Sequence, residues 1–219
     1  MNENTLKDLW KSSNEKLEMS LSLGRKNAED ITQMKVQKFI SSMKPFKMFT
    51  ILAGLLWVGI LGTAVLNLFI YAFPQVNQFF LFSAAIQVSL TAIALIIYIY
   101  QLVLIYQVDI SEPILETQAK LIKLKSSSLL VARILLLQLP VWTTFYWNES
   151  MFANGNIFFL IIQGIVTLTF IIVAGWLFFN IKIENKDKKW FRFLFSGSEW
   201  QPIISSMNIM KQLGEFKKG

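Results

Sequence analysis

In the segment KDKKWFRFLF, residues 186–195, the cations Lys186, Lys188, Lys189 and Arg192 interleave with Trp190, Phe191, Phe193 and Phe195. Cations mixed with flat aromatic rings support two kinds of chemistry. They can neutralise and stack on single-stranded nucleic acid, or they can seat a chain at a bilayer surface, rings among the headgroups and charges on lipid phosphate. The segment follows a long apolar run directly, so the second is expected. Lys188, Lys189, Trp190, Phe191 and Arg192 are therefore candidate membrane-interface residues, with the lipid bilayer as partner and no nucleic acid.

Three amides form a second group. Gln87, Gln138 and Gln163 each fall well inside a different apolar run. An amide in apolar surroundings either lines a polar path or hydrogen-bonds from one helix to another, and the latter is the commoner use. The three are candidate intramembrane polar contacts. Asn67, Ser89, Thr91, Gln101, Thr167 and Thr169 complete the polar set. The one ionisable residue inside the runs is Arg133, four residues past Leu129, where its guanidinium can snorkel back to the headgroups. Proton relays and ion-coupled transporters usually need ionisable groups at depth. Histidine and cysteine are absent from all 219 residues, which removes the commonest general base and metal ligand and all thiol chemistry. No Walker loop, zinc motif, nucleophile elbow or catalytic carboxylate pair is present. The expectation is a non-enzymatic protein without metal or cofactor.

The elements that position these residues follow from where charge stops. Uncharged stretches of 61 and 32 residues separate Lys47 from Asp109 and Glu149 from Lys182. About 20 apolar residues cross a bilayer, so the first stretch holds two crossings. Four spans are expected, at about 48–73, 79–106, 129–147 and 157–181, within a domain covering 46–181. Each run is continuous rather than alternating with period two, which predicts helices and not a barrel. Pro140 should kink the third span, and Gly59 with Thr63 could admit a close helix neighbour.

All 21 Lys and Arg lie in residues 1–47, the 107–133 region or the tail from Lys182, while the loops at 74–78 and 148–156 carry none. The positive-inside rule then puts both termini and the middle loop in the cytoplasm. The expected fold is all-α: an integral membrane four-helix bundle with cytoplasmic amphipathic helices. No signal peptide is visible, so the first span should serve as an uncleaved anchor.

Residues 1–45 form the first cytoplasmic region. Leu6, Leu9, Trp10, Ser13 and Leu17 recur at helical spacing, and Leu6, Leu9, Trp10 and Leu17 are candidate partner-docking residues. Gly24 should interrupt this helix before a second, 27–43, presents Ile31, Met34, Phe39, Ile40 and Met43 up to Pro45. Lys35, Lys38, Lys44 and Lys47 could meet anionic lipid. In the loop 107–128, Ile114, Leu121 and Ser128 lie seven apart, as do Leu115, Ile122 and Leu129, predicting a heptad helix that continues into the third span and packs or self-associates. In the basic aromatic cytoplasmic tail, 182–219, a last helix after Pro202 could present Ile203, Met207, Met210 and Leu213.

The segments LKDLWKSSNEKLEMSLSL (6–23) and ILETQAKLIKLKSSSLLVARILLLQLPVWTTFYW (114–147), with the four-span layout, resemble small, uncharacterised four-helix inner-membrane proteins of bacteria. The resemblance implies a bacterial inner (cytoplasmic) membrane location and no particular activity or functional residue. Two function classes remain: a regulatory or interaction protein that engages a cytoplasmic partner through its cytoplasmic helices, or a subunit or scaffold of a transport or channel assembly.

Overall fold

The computed structural model describes residues 3–108, 114–153, 156–185, 187–195, 205, 206 and 209. Every regular element among them is helical. Helix α1 runs Glu3–Ser41 without a break. Gly24 does not divide it, contrary to expectation: one glycine costs only about 1 kcal/mol against alanine inside a helix, and the helix-forming residues on either side outweigh that. Pro45 ends α1 instead. It has no N–H to offer the Ser41 carbonyl, and it sits in the first turn of α2, Lys44–Tyr71, where a missing N–H does no harm.

A short turn leads to α3, Gln78–Tyr106, capped by the Asn77 side chain accepting from the Phe79 N–H at 3.0 Å. Helix α4, Ile114–Leu136, starts outside the expected third span and runs into it as one rod. It stops at Leu136, the residue whose carbonyl Pro140 cannot serve. The chain resumes as a separate α5, Gln138–Thr144, so the expected kink is a break. A single turn, α6, Glu149–Ala153, precedes α7, Ile157–Asn180, which Asn156 caps as Asn77 caps α3. A 3-10 turn at Ile183–Asn185 and the short α8, Lys189–Leu194, complete the described elements.

Helix α3 is the spine. Helix α2 lies along one side of it and α4 with α5 along another, and α7 packs on α4 and α5. The burial pattern explains why these helices run side by side. Gln87, Ala94 and Gln101 are buried at successive sevens on α3, and Val108, just past its end, continues the row. Gln33, Val36, Ile40, Met43 and Lys47 are buried at alternating spacings of three and four across α1 and the start of α2, as are Thr117, Leu121, Leu124, Ser128 and Val131 on α4. Such spacing keeps one seam of each helix turned toward its neighbours. One cluster joins Val36 and Ile40 of α1, and Met43 just before α2, to Ile105, Val108, Leu121 and Leu124, with Ile209 packed against it. Two expected stripes are thereby corrected. Ile31, Met34 and Phe39 face outward, as does Ile122, because the real rows run through residues 36 and 124.

Close approach of α2 and α3 occurs at Gly54, not at Gly59. A methyl group on Gly54 would come within 2.8 Å of Leu95 Cδ1, whereas one on Gly59 meets nothing within 4 Å. Thr63 turns its hydroxyl to the carbonyls of Gly59 and Ile60 on its own helix, and Gly59 has no close neighbour among the described residues. Gly59→Ala should stabilise the fold slightly, by up to about 1 kcal/mol of helix propensity, and so raise the melting temperature. At Gly54 the same gain is offset by displacement of Leu95, and Gly54→Ala should be neutral or destabilising. Thermal melts of the two variants in one detergent decide the order.

Four stretches of helix, Trp10–Tyr71, Gln78–Tyr106, Glu116–Thr144 and Ile157–Asn180, are long and apolar enough to cross a membrane. Leu52, Leu56, Ile60 and Leu66 on α2 and Phe158, Ile165, Leu168 and Ile172 on α7 point outward.

Candidate functional site

Lys47 and Gln101 each stand 27 residues from Pro74 in the turn between α2 and α3. An antiparallel helix pair folded at that turn brings them level. Both are enclosed, at 1% and 0% exposure. The Lys47 ammonium donates to Gln101 Oε1 at 2.6 Å and lies 4.0 Å from the centroid of the Tyr98 ring, one turn earlier on α3. Burying a charge is costly unless other groups replace its hydration. Here an amide oxygen supplies a charge-assisted hydrogen bond, and the ring face supplies a cation–π contact worth about 2 kcal/mol when desolvated. The expectation that Lys47 meets lipid headgroups is corrected, since it continues the buried seam of α1. Of the other lysines grouped with it, Lys35 and Lys38 are exposed, and Lys44 lies 4.3 Å from the Tyr106 ring centroid.

A cavity of about 220 Å³ opens beside this pair, lined by Lys47, Tyr98, Gln101, Ser128 and the apolar side chains of Val131, Ala132, Leu135, Leu136, Leu194 and Phe195. Gln101 Nε2 and Ser128 Oγ, both buried, make no hydrogen bond. The amide orientation follows from chemistry: its oxygen must face the ammonium, so its two N–H donors point elsewhere.

Toward the short loops, hydroxyls and amides cross between helices. Gln138 Nε2 donates to Thr91 Oγ1 at 2.9 Å, and Thr91 donates in turn to the Gln87 carbonyl at 2.8 Å. Gln163 Nε2 donates to the Thr143 carbonyl at 2.8 Å, and the Thr143 and Thr167 hydroxyls are 2.9 Å apart. Ser83 and Thr144 meet at 2.8 Å. Thus Gln138 ties α5 to α3 and Gln163 ties α7 to α5, while the Gln87 side chain is buried on the α3 seam. Interhelical bonds of this kind are worth about 0.6 kcal/mol each in apolar surroundings.

Arg133 reaches across to the end of α7. Its Nε donates to the Ile181 carbonyl at 2.8 Å, with Nη2 on the same oxygen, so a cation on α4 caps the C-terminus of α7. The tail folds back over this point. Phe191 was expected at the interface but is 3% exposed, packed with Leu129, Leu177, Ile181 and Phe195. Trp190 packs edge-on against Trp176 at 5.1 Å between centroids. Lys188, Lys189 and Arg192 remain on the outside, beside the 83% exposed Phe193. The alternation of cations and rings is thus that of a short helix with one inward face.

On α1, Trp10 is 75% exposed and Leu17 faces outward seven residues on. Leu6 and Leu9 belong to the same helix, their side chains outside the described residues, as are Ile203, Met207, Met210 and Leu213 of the tail. The structure does not bring the α1 residues to the Lys47 cavity. Sequence reasoning named Gln101 without its partner, gave Ser128 only as a heptad position and missed Tyr98. One signal could have found the pair: equal distance from the turn. The chain matches no protein-family model, no curated protein and no solved structure.

Proposed function

We propose that this is a non-enzymatic, multi-pass protein of the bacterial inner membrane, with both termini and the 107–128 loop cytoplasmic, that engages a cytoplasmic protein through the free half of α1. Membrane insertion is supported by where the apolar surface lies. Only 6% of the most apolar stretch of the first candidate span and 11% of that of the last are buried inside the protein. Exposed apolar area of that extent is unfavourable in water and matches lipid. The orientation rests on the distribution of Lys and Arg. Because the chain has no cysteine, a single introduced thiol reports its own side. Gln75→Cys should react with an impermeant maleimide on spheroplasts, and Ser13→Cys only after lysis. The reverse pattern would invert the topology.

The observation that carries the interaction role is the contrast along α1. From Gln33 onward every turn buries a residue, whereas residues 10–27 are exposed throughout, including Trp10, Leu17, Met19, Leu21 and Leu23. A helix of that length is marginal alone in water, and an amphipathic helix held out from a scaffold is suited to a partner's groove. The experiment is crosslinking of the tagged protein in intact cells, comparing the parent with Trp10→Ser/Leu17→Ser. The double variant should lose a soluble partner while its melting temperature holds. Identical products from both would remove the role of α1. A deletion for this purpose must stop before residue 28, since removing Val36, Ile40 and Met43 would strip the core.

A further inference from the structure

We propose that the outward face of α8 is a seat for anionic phospholipid headgroups, with Lys188, Lys189 and Arg192 on phosphate and Phe193 at the edge of the acyl chains. This depends on α7 spanning the bilayer, the reading given under the proposed function. Depth is set by what α8 packs on. Phe191 lies against Leu177, in the last turn of α7, and against Ile181 just past its end. Trp190 meets Trp176 edge-on at 5.1 Å, and Trp176 is itself 49% exposed, one turn before α7 ends. Tryptophan gathers where acyl chains give way to headgroups. These contacts hold α8 against the end of the span, so its cations stand at headgroup height.

Facing follows from helix geometry. At 3.6 residues per turn, Lys189, Arg192 and Phe193 fall within an arc of about 100°, and Phe191 lies on the far side. The three are exposed, as is Lys188 just ahead of the helix, whereas Phe191 is 3% exposed. A single exposed ring needs no explanation. At 83% exposure beside three cations at headgroup height, Phe193 has a use, since an aromatic ring settles at that boundary.

Charge supplies the selectivity. Residues 182–195 carry five cations against two acids, Glu184 and Asp187, and α8 itself holds no acid. Each cation near an anionic surface is worth about a fivefold gain in binding, and a zwitterionic surface offers no such attraction. The burial of Phe191 also places the cations before any lipid arrives, so little ordering is left for binding to impose.

The test uses the full-length protein carrying Phe193→p-benzoylphenylalanine, in vesicles of equal parts phosphatidylglycerol and phosphatidylcholine. Irradiation and mass spectrometry count the adducts to each lipid. Phosphatidylglycerol adducts should exceed phosphatidylcholine adducts by at least about fivefold in dilute buffer. The ratio should fall toward one in molar salt, where charges are screened beyond about 3 Å. Lys188→Gln/Lys189→Gln/Arg192→Gln should remove the preference at an unchanged melting temperature, because all three side chains are exposed. The salt series needs no further substitution and decides the matter even if that variant unfolds. Ile165→p-benzoylphenylalanine, 59% exposed in the middle third of α7, is the reference for insertion and should label both lipids equally. No lipid adduct at 165 would sink the reading of α7 as a span, and the seat with it. Adducts at 165 with none at 193, or equal labelling of the two lipids at 193 in dilute buffer, would overturn the seat alone. So would an adduct from 193 to a protein in place of lipid in intact cells, which would give this face to a protein partner.

Discussion

Gln101→Leu should be the most damaging conservative substitution in the bundle core, lowering stability by about 2–3 kcal/mol, the usual worth of a hydrogen bond to a charged group. Leucine fills much the same space, so packing is not the issue. The loss is electrostatic: the Lys47 ammonium, 1% exposed, gives up the amide oxygen at 2.6 Å. Truncating one partner of a buried charged contact costs more than the contact's net worth, because the remaining charge keeps its desolvation penalty. Lys47→Met removes the charge instead and leaves a neutral amide oxygen unmet, a smaller penalty of about 1–3 kcal/mol. The double variant Lys47→Met/Gln101→Leu should therefore be more stable than Gln101→Leu alone. Thermal or denaturant unfolding of the four proteins in one detergent gives the cycle. Simple addition of the two single effects would mean that the ammonium does not depend on this amide.

Phe191→Ala should free the tail. Helix α8 has six residues, far too few to persist alone in water, and its order depends on what Phe191 touches. That ring is buried against Leu129, Leu177 and Ile181, with its centroid 4.3 Å from that of Phe195. Deleting a buried aromatic ring costs about 3–5 kcal/mol, and at about 1.4 kcal/mol per tenfold amide exchange over 189–195 should quicken by two orders of magnitude or more. Phe193→Ala, two residues on and 83% exposed, should quicken exchange far less. Hydrogen exchange by mass spectrometry distinguishes the two directly. Equal behaviour of the variants would mean that the tail is held by its cations and not by the ring.

The helical class and the long apolar helices were legible because both rest on uninterrupted hydropathy, which needs no knowledge of neighbours. Errors came where a local signal met a tertiary one. Gly24 looks like a stop, but the penalty of one glycine is smaller than what the flanking residues supply. Pro140 predicts a kink, yet the chain closes α4 at Leu136 and begins again. Lysine at the edge of an apolar run usually meets lipid, and the sequence predicts the same of Lys47. Its enclosure depends on Gln101, 54 positions away. The tail shows the same limit. Cations and rings in alternation state a composition, while the burial of Phe191 follows from the packing of α4 against α7. The α1 stripes were displaced because Ile31, Met34 and Phe39 are as apolar as Val36 and Ile40, and only the position of α3 and α4 chooses among them.

Helix α1 is one unbroken rod from Glu3 to Ser41, and that continuity makes it a ruler. At about 1.5 Å per residue the stretch before residue 28 projects about 37 Å from the docked half. A flexible chain of equal length would average about 25–30 Å end to end and sample every direction. The rod fixes both quantities that the chain would leave free. It holds Trp10 at a set height above the bundle, and, because a helix transmits rotation, the seating of Val36 and Ile40 sets the compass bearing of Trp10 and Leu17. In the proposed setting, whatever binds there is held at one altitude over the membrane and approached from one side. Any shift of α1 against α3 would swing that bearing at the far end.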